Sequence, residues 1–483
     1  MLKALLYLLF FFLPTQLGKH FWFDWSYKLG MRVDYLSPTV YLTDIFIFLI
    51  IVLFFFENST PGVKEKSPPQ GWWGKLVTGG WLLAAGCWWL VAVGENPWLL
   101  IYNLGRLGIL GLLGYVIAKT FKKEDFPQII KVLNWALILQ VFLAGYQVIV
   151  EKSADLWILG ERSFSIGTPG IARFTAPGGS LLLRGYGTFS HPNVLGGFCL
   201  LMLVGNGVMF LKTDNRRQRT DIEDRGQKGE SKKSVLGFPS SVFYIAGFIF
   251  SLLGIWLSMS LLAIVLSQVF LLGLVLLIRR CLTRRTGTKT VLLRGQPQGL
   301  PLQLFLLVIP IIILVVGIWY LRPEADRSWA GVAGNSDSIT RRVVLLKYSW
   351  EMFRTSPIFG VGLGNFVPAM PEKPVGQTYF WQPVHNMPVL IGVELGLVSM
   401  AGVMLLIWLG IKKFKVTVKN LKLSKNSIIY NSYFIILVFW WLIIFITGMF
   451  DHYWLTLQQG RLMLVVVIGL TFVGASNSKK AKK

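Results

Sequence analysis

Charge, cysteine and histidine are all scarce in this chain, and each scarcity removes a class of protein. Only 15% of its 483 residues are charged, against about 25% in an ordinary globular domain, which is too few to coat a water-soluble surface. The three cysteines, Cys87, Cys199 and Cys281, form no CxxC pair and support neither a disulfide framework nor a thiolate metal site. The four histidines include no HExxH pair and no clustered carboxylates accompany them, so no metal centre and no cofactor are expected. A P-loop is also missing, which argues against nucleotide hydrolysis as an energy source.

Apolar length is what the chain has instead. Hydrophobic residues make up 54%, and uncharged runs long enough for a bilayer recur at about 4–17, 39–56, 76–93, 98–118, 129–150, 191–211, 239–257, 259–278, 302–321, 388–410, 428–449 and 461–475. The expected fold is therefore all-α, a polytopic transmembrane bundle of about twelve spans in a single integral membrane domain, 1–483. The run 239–278 is too long for one span and should turn near Trp256 to Ser260. No small-residue cleavage site follows the first run, which is read as a retained helix.

Lys and Arg number 48 against 23 Asp and Glu, a net charge of +25. Basic residues concentrate in alternate loops, with eight in 212–238, six in 279–295 and six in 411–427. Assigning those loops to the cytoplasm puts both termini inside and accounts for all but two of the surplus charges. The basicity is then an orientation signal beside anionic lipid, and nucleic acid is not needed to explain it. The low-complexity stretch 212–238 reads as a flexible basic cytoplasmic loop.

Two long outer segments remain, 151–190 and 322–387. In the second, Ile339, Val343, Leu346, Trp350 and Phe353 form an apolar stripe on a helix at about 338–355, with Arg342 at its edge and Arg341 nearly opposite. Both arginines are either solvated surface or site residues. Next comes SPIFGVGLGNF, 356–366, whose Gly362 and Gly364 are either a tight turn or amides open to a phosphate. His385 and Asn386 stand where the chain re-enters the membrane, and Glu394 lies inside the span, where a carboxylate needs a buried partner or a task. The first outer segment ends in RGYGTFSHPN, 184–193, crowding Arg184, His191 and Asn193 at another boundary. His452, in FDHYW at 450–454, is a third histidine at an outer helix end; Asp451 beside it would not face it on a helix.

These motifs, in this order, resemble the O-antigen ligase and O-antigen polymerase superfamily of bacterial envelope glycosyltransferases. The resemblance rests on RGYGTFSHPNVLG (184–196), Arg342 followed by SPIFGVGLGNF, and HNMPVLIGVELG (385–396). It implies transfer of a glycan from an undecaprenyl diphosphate carrier to an acceptor hydroxyl, without a metal, at the outer face of the bacterial inner membrane. It also implies that Arg184, Arg342 and His385 meet the pyrophosphate, with His385 donating to it if protonated or serving as base if neutral. Many relatives carry Ser-x-Ser-Arg where this chain has Ser258-Met259-Ser260-Leu261, and Arg106, within an apolar span, is the expected substitute. The acceptor is a lipid core, a repeat unit or, as in protein O-oligosaccharyltransferases, a protein hydroxyl. A reading of another class, a lipid or glycan transporter or flippase, predicts internal repeats and discontinuous helices at midplane; the two halves show no convincing repeat, and the polar residues cluster at the outer boundary.

Overall fold

A computed structural model of the chain describes residues 1–59, 96–175, 179–226, 240–285, 336–371, 381–422 and 432–473. The expected spans at 76–93 and 302–321 lie outside these, as do parts of 212–238 and 322–387. In order, the chain forms α1 (Leu2–Phe11), β1 (Gly18–His20), β2 (Tyr27–Lys28), β3 (Met31–Arg32), β4 (Thr39–Tyr41), α2 (Leu42–Ser59), α3 (Pro97–Thr120) and α4 (Phe126–Val150). There follow β5 (Arg173–Thr175), β6 (Leu181–Leu183), α5 (Pro192–Gly226), α6 (Ser240–Ser258), α7 (Leu261–Arg285) and α8 (Ser336–Thr355). Last come α9 (Met387–Lys422), α10 (Ser432–Gly448), the single turn α11 (Tyr453–Thr456) and α12 (Gln458–Thr471).

Among the described residues, four helical stretches are long and apolar enough to cross a membrane: Pro97–Thr120, Lys123–Val150, Pro192–Thr213 and Ser241–Ser258. Several shorter helices, including α1, α10 and α12, are apolar as well. Phe48, Trp135, Phe142 and Ile149 point outward from them and are exposed, the arrangement lipid contact favours. At the centre stands α5, whose apolar stretch is 83% buried by α4, α6, α7 and α10; α3 packs on α12, and α1 on α4. Asn134 of α4 and Asn206 of α5 exchange two amide hydrogen bonds of 2.7 and 2.8 Å, so each satisfies the other inside an apolar core. Met259 and Ser260 separate α6 from α7, with Met259 in the left-handed region at φ 47°.

Three features depart from the sequence reading. The structure is not purely helical, since β1 pairs with β4, β2 with β3 and β5 with β6, all antiparallel. These short connecting strands are mostly exposed or half-buried, and pairing with one another satisfies part of their backbone. Helix α5 continues to Gly226, through the first half of the stretch read as a flexible loop. On α8, Val343, Leu346 and Trp350 are exposed, while Leu345, Tyr348 and Met352 face inward onto Val361, Phe366, Leu390 and Val393. In a bilayer an apolar stripe gains as much from lipid as from protein, so hydrophobicity does not reveal the inner face. Arg341 and Arg342 are both half-buried rather than opposed.

Helix α9 is broken at Gly396 (φ 68°, ψ −173°), and the glycine-rich segment 356–366 docks into the break. Val361 donates to Val393 O at 2.9 Å, Gly362 to Glu394 O at 2.8 Å, and Leu397 to Pro357 O at 2.9 Å. A Cβ on Gly396 would lie 2.2 Å from Ile358 O, whereas one on Gly402 would meet nothing within 4 Å. Gly396→Ala should therefore cost at least about 1–3 kcal/mol, seen as a lower Tm in detergent, while Gly402→Ala leaves Tm nearly unchanged.

Candidate functional site

Two irregular segments at one end of the bundle build the site. The first, 184–191, is held by two glutamines seven residues apart on α4, hence on one helix face. Gln147 Oε1 accepts from the Tyr186 and Gly187 amides, both at 2.9 Å, and its Nε2 donates to Gly187 O and to Glu161, both at 2.8 Å. Gln140 Oε1 accepts from the Thr188 amide at 2.6 Å. Fixed in this way, the loop delivers Arg184 to the α6–α7 turn, where Nε donates to Ser258 O at 2.9 Å and Nη2 to Asn193 Oδ1 at 2.8 Å. Burial lowers the Arg184 pKa to about 10, which leaves it charged at neutral pH. At the entrance to α5, His191 Nδ1 accepts from the Asn193 amide at 3.1 Å, so in the neutral ring Nε2 carries the hydrogen.

The second segment is the turn 449–452 between α10 and α11. Asp451, 7% exposed, accepts from the His452 amide at 2.8 Å and from Asn193 Nδ2 at 2.9 Å, and His385 Nδ1 lies 3.5 Å from its Oδ1. Arg342 Nη1 donates to Phe450 O at 3.0 Å and Asn386 Nδ2 to Met449 O at 2.9 Å. Four residues from distant parts of the sequence, Asn193, Arg342, His385 and Asn386, thus meet one short turn. Burial would raise the Asp451 carboxyl, but His385 beside it and the other histidines outweigh it and hold the group well below the usual carboxylate range. The His385 and His452 rings are 4.9 Å apart, and Tyr35 meets His452 edge-on at 5.7 Å. Thr456 donates its hydroxyl to His452 O, so its oxygen is left to receive Nδ1–H of His452 at 2.6 Å. Neutral His452 accordingly keeps a bare lone pair on Nε2. Burial lowers the pKa of both His191 and His452 to about 3.

Beside this turn opens a cavity of about 400 Å³. All four histidines of the chain, His20, His191, His385 and His452, line it, together with Asp34, Arg162, Asp451 and Arg461 and a series of tyrosines and glutamines. Arg184, Asn193, Arg342 and Asn386 do not line it; they stand behind the turn and hold it. Gly362 and Gly364 are not open to an anion, because Gly362 donates to Glu394 O and the Gly364 and Phe366 amides are drawn to the Glu394 carboxylate. Glu394 thereby finds its partners in that loop. Arg106 does not reach the Ser258 turn, since its guanidinium pairs with Asp44 at 2.5 Å and donates to Gln458; Arg184 occupies that turn instead.

The sequence alone does not single out His20, Tyr35, Arg162 or Arg461. The usable signal was that three of the four histidines, His191, His385 and His452, lie at the same kind of helix end. His385, Asp451 and His452 present ligand atoms all within 4.8 Å of one another, a donor set whose composition suits a divalent transition metal. For His191 and His452, the unfolded chain binds protons below about pH 6.5 and the folded chain resists until about 3. Their stabilising effect is complete above that range and fades as pH falls, and the depressed Asp451 acts in the same direction. Tm should drop between about pH 7 and about pH 4, and His452→Gln should flatten that slope.

Residues 246–404 match the family model described as O-antigen ligase, a region that runs from α6 into α9 and contains Arg342 and His385. No curated protein matches the chain. The ordered loop motifs and the family match agree, and the region 246–404 is similar to the O-antigen ligase family.

Proposed function

We propose that this protein is a membrane glycosyltransferase that moves a glycan from a polyprenyl diphosphate carrier, undecaprenyl diphosphate in bacteria, to an acceptor hydroxyl. The observation that carries the reading is the convergence of Arg184, His191, Arg342, His385, Asp451 and His452 on one turn and its cavity, from four separate segments of the chain. A diphosphate leaving group gains negative charge as the glycosidic C–O bond breaks, and fixed cations and N–H donors stabilise that change. A cavity walled with tyrosine, glutamine and asparagine side chains suits sugar hydroxyls.

The side chains divide the work. His385, 3.5 Å from the Asp451 carboxylate, donates an N–H to a diphosphate oxygen, and His191 Nε2–H adds a second donor. The acceptor oxygen bonds to the anomeric carbon from the face opposite the leaving oxygen, which departs with the electron pair. The acceptor proton passes to the bare Nε2 of His452, whose basicity rises once an anion occupies the cavity. Arg184 and Arg342 act on the turn and add positive field. No step needs a metal, and both Asp451 oxygens are already engaged by Asn193, His452 and His385.

The membrane side follows from charge. Lys3, Lys119, Lys122 and Lys123 sit at helix ends remote from the cavity-lining ends of the same helices, and the positive-inside rule assigns such ends to the cytoplasm. The cavity then faces the periplasm, with both termini inside and about twelve spans. In proteoliposomes loaded with a polyprenyl-diphosphate glycan, release of free carrier should depend on an added acceptor and persist in EDTA. His385→Ala should lower turnover by about a hundredfold or more, and Arg341→Ala should be mild. Abolition by EDTA with rescue by a divalent cation would instead assign the His385, Asp451 and His452 set to a metal.

A further inference from the structure

Four permanently charged residues line the cavity: Asp34, Arg162, Asp451 and Arg461. Three of them are matched. Asp34 lies 3.8 Å from Arg162, and Asp451 is paired with His385 at 3.5 Å. Arg461, in the first turn of α12, has neutral partners: Nε donates to Leu455 O, and Nη2 lies 3.3 Å from Asn103 Oδ1. Among the described residues it forms no ion pair.

The nearby carboxylates are already spent. Asp44 pairs with Arg106 at 2.5 Å, and Glu394 receives the loop amide of Phe366 at 3.4 Å. A half-buried guanidinium in an apolar bundle that borders a cavity, with Glu394 near it but no carboxylate in direct contact, is costly to keep unless a ligand brings an anion. Its neighbours on this part of the wall, Tyr41, Tyr102, Gln458 and Gln459, offer hydroxyls and amides to further oxygens. By contrast, Arg184 and Arg342 do not line the cavity, so the wall's own cation toward α12 is Arg461.

We propose that Arg461 is a substrate-binding residue that takes a diphosphate oxygen of the carrier-linked donor inside the cavity. This rests on the reading of the chain as a transferase using a lipid diphosphate, and it adds to that reading a contact from the last described helix, far from the loop motifs. The planar guanidinium can meet two phosphate oxygens at once. An acidic sugar would present the same oxyanion chemistry, so the test uses a carrier without sugar.

Binding of geranylgeranyl diphosphate and of geranylgeraniol to the full-length protein in nanodiscs distinguishes the sources. Arg461→Gln should weaken the diphosphate roughly 10- to 100-fold, leave the alcohol unchanged and keep a wild-type elution profile, with Arg461→Lys in between. Equal diphosphate binding by wild type and Arg461→Gln would overturn the assignment of Arg461 alone. A wild type that binds the diphosphate no better than the alcohol would overturn the functional reading with it. Should Arg461→Gln fail to fold, phenylglyoxal labelling of the wild type carries the test: inorganic pyrophosphate should protect Arg461, and unchanged labelling would contradict the proposal.

Discussion

Irregular backbone buried among apolar helices has to find its hydrogen-bond partners in protein, and the organisation of this molecule follows from that constraint. A few buried polar side chains meet it. Gln140 and Gln147 receive the loop 186–188, Glu394 and the carbonyls beside the Gly396 break receive 361–366, and Asp451 receives the turn at 452 together with Asn193. Each is costly on its own and satisfied in place. Because all three loops open at the same end of the bundle, satisfying them gathers the chain's histidines there as well.

Asp451 links that structural need to chemistry. The carboxylate that closes the turn also faces His385 and, through Asn193, reaches Arg184. Losing it would loosen the turn and leave His385 without its counter-charge at once. Burial keeps His191 and His452 neutral against the pull of Asp451, whereas the histidines around Asp451 keep that carboxylate ionised. Such a cluster carries little net charge when empty and is ready for an anion, which is the electrostatic requirement for stabilising a departing diphosphate.

Much of this was legible in the sequence because apolar runs of bilayer length are hard to mistake, and because Arg184, His191, Arg342 and His385 sit in local motifs. The break at Gly396 was hidden inside one apolar run, since only the docking of 356–366 explains why helix stops there. The inner face of α8 was misread from Val343, Leu346 and Trp350, because lipid rewards exposed apolar surface. Asp451 takes the backbone amide of its neighbour His452, but its side-chain partners are His385 and Asn193; no local spacing encodes contacts so distant in sequence. His20 and Arg461 reach the cavity only through the β1–β4 ribbon and the first turn of α12, elements too short or too apolar to signal a site.

The central claim, that the four-histidine cavity is where the lipid diphosphate reacts, is tested most directly by a structure of the protein in lipid nanodiscs soaked with a polyprenyl-diphosphate glycan. The account predicts diphosphate density inside the cavity, within hydrogen-bonding reach of His385 and His191. An empty cavity, with the diphosphate bound elsewhere on the protein, would contradict it.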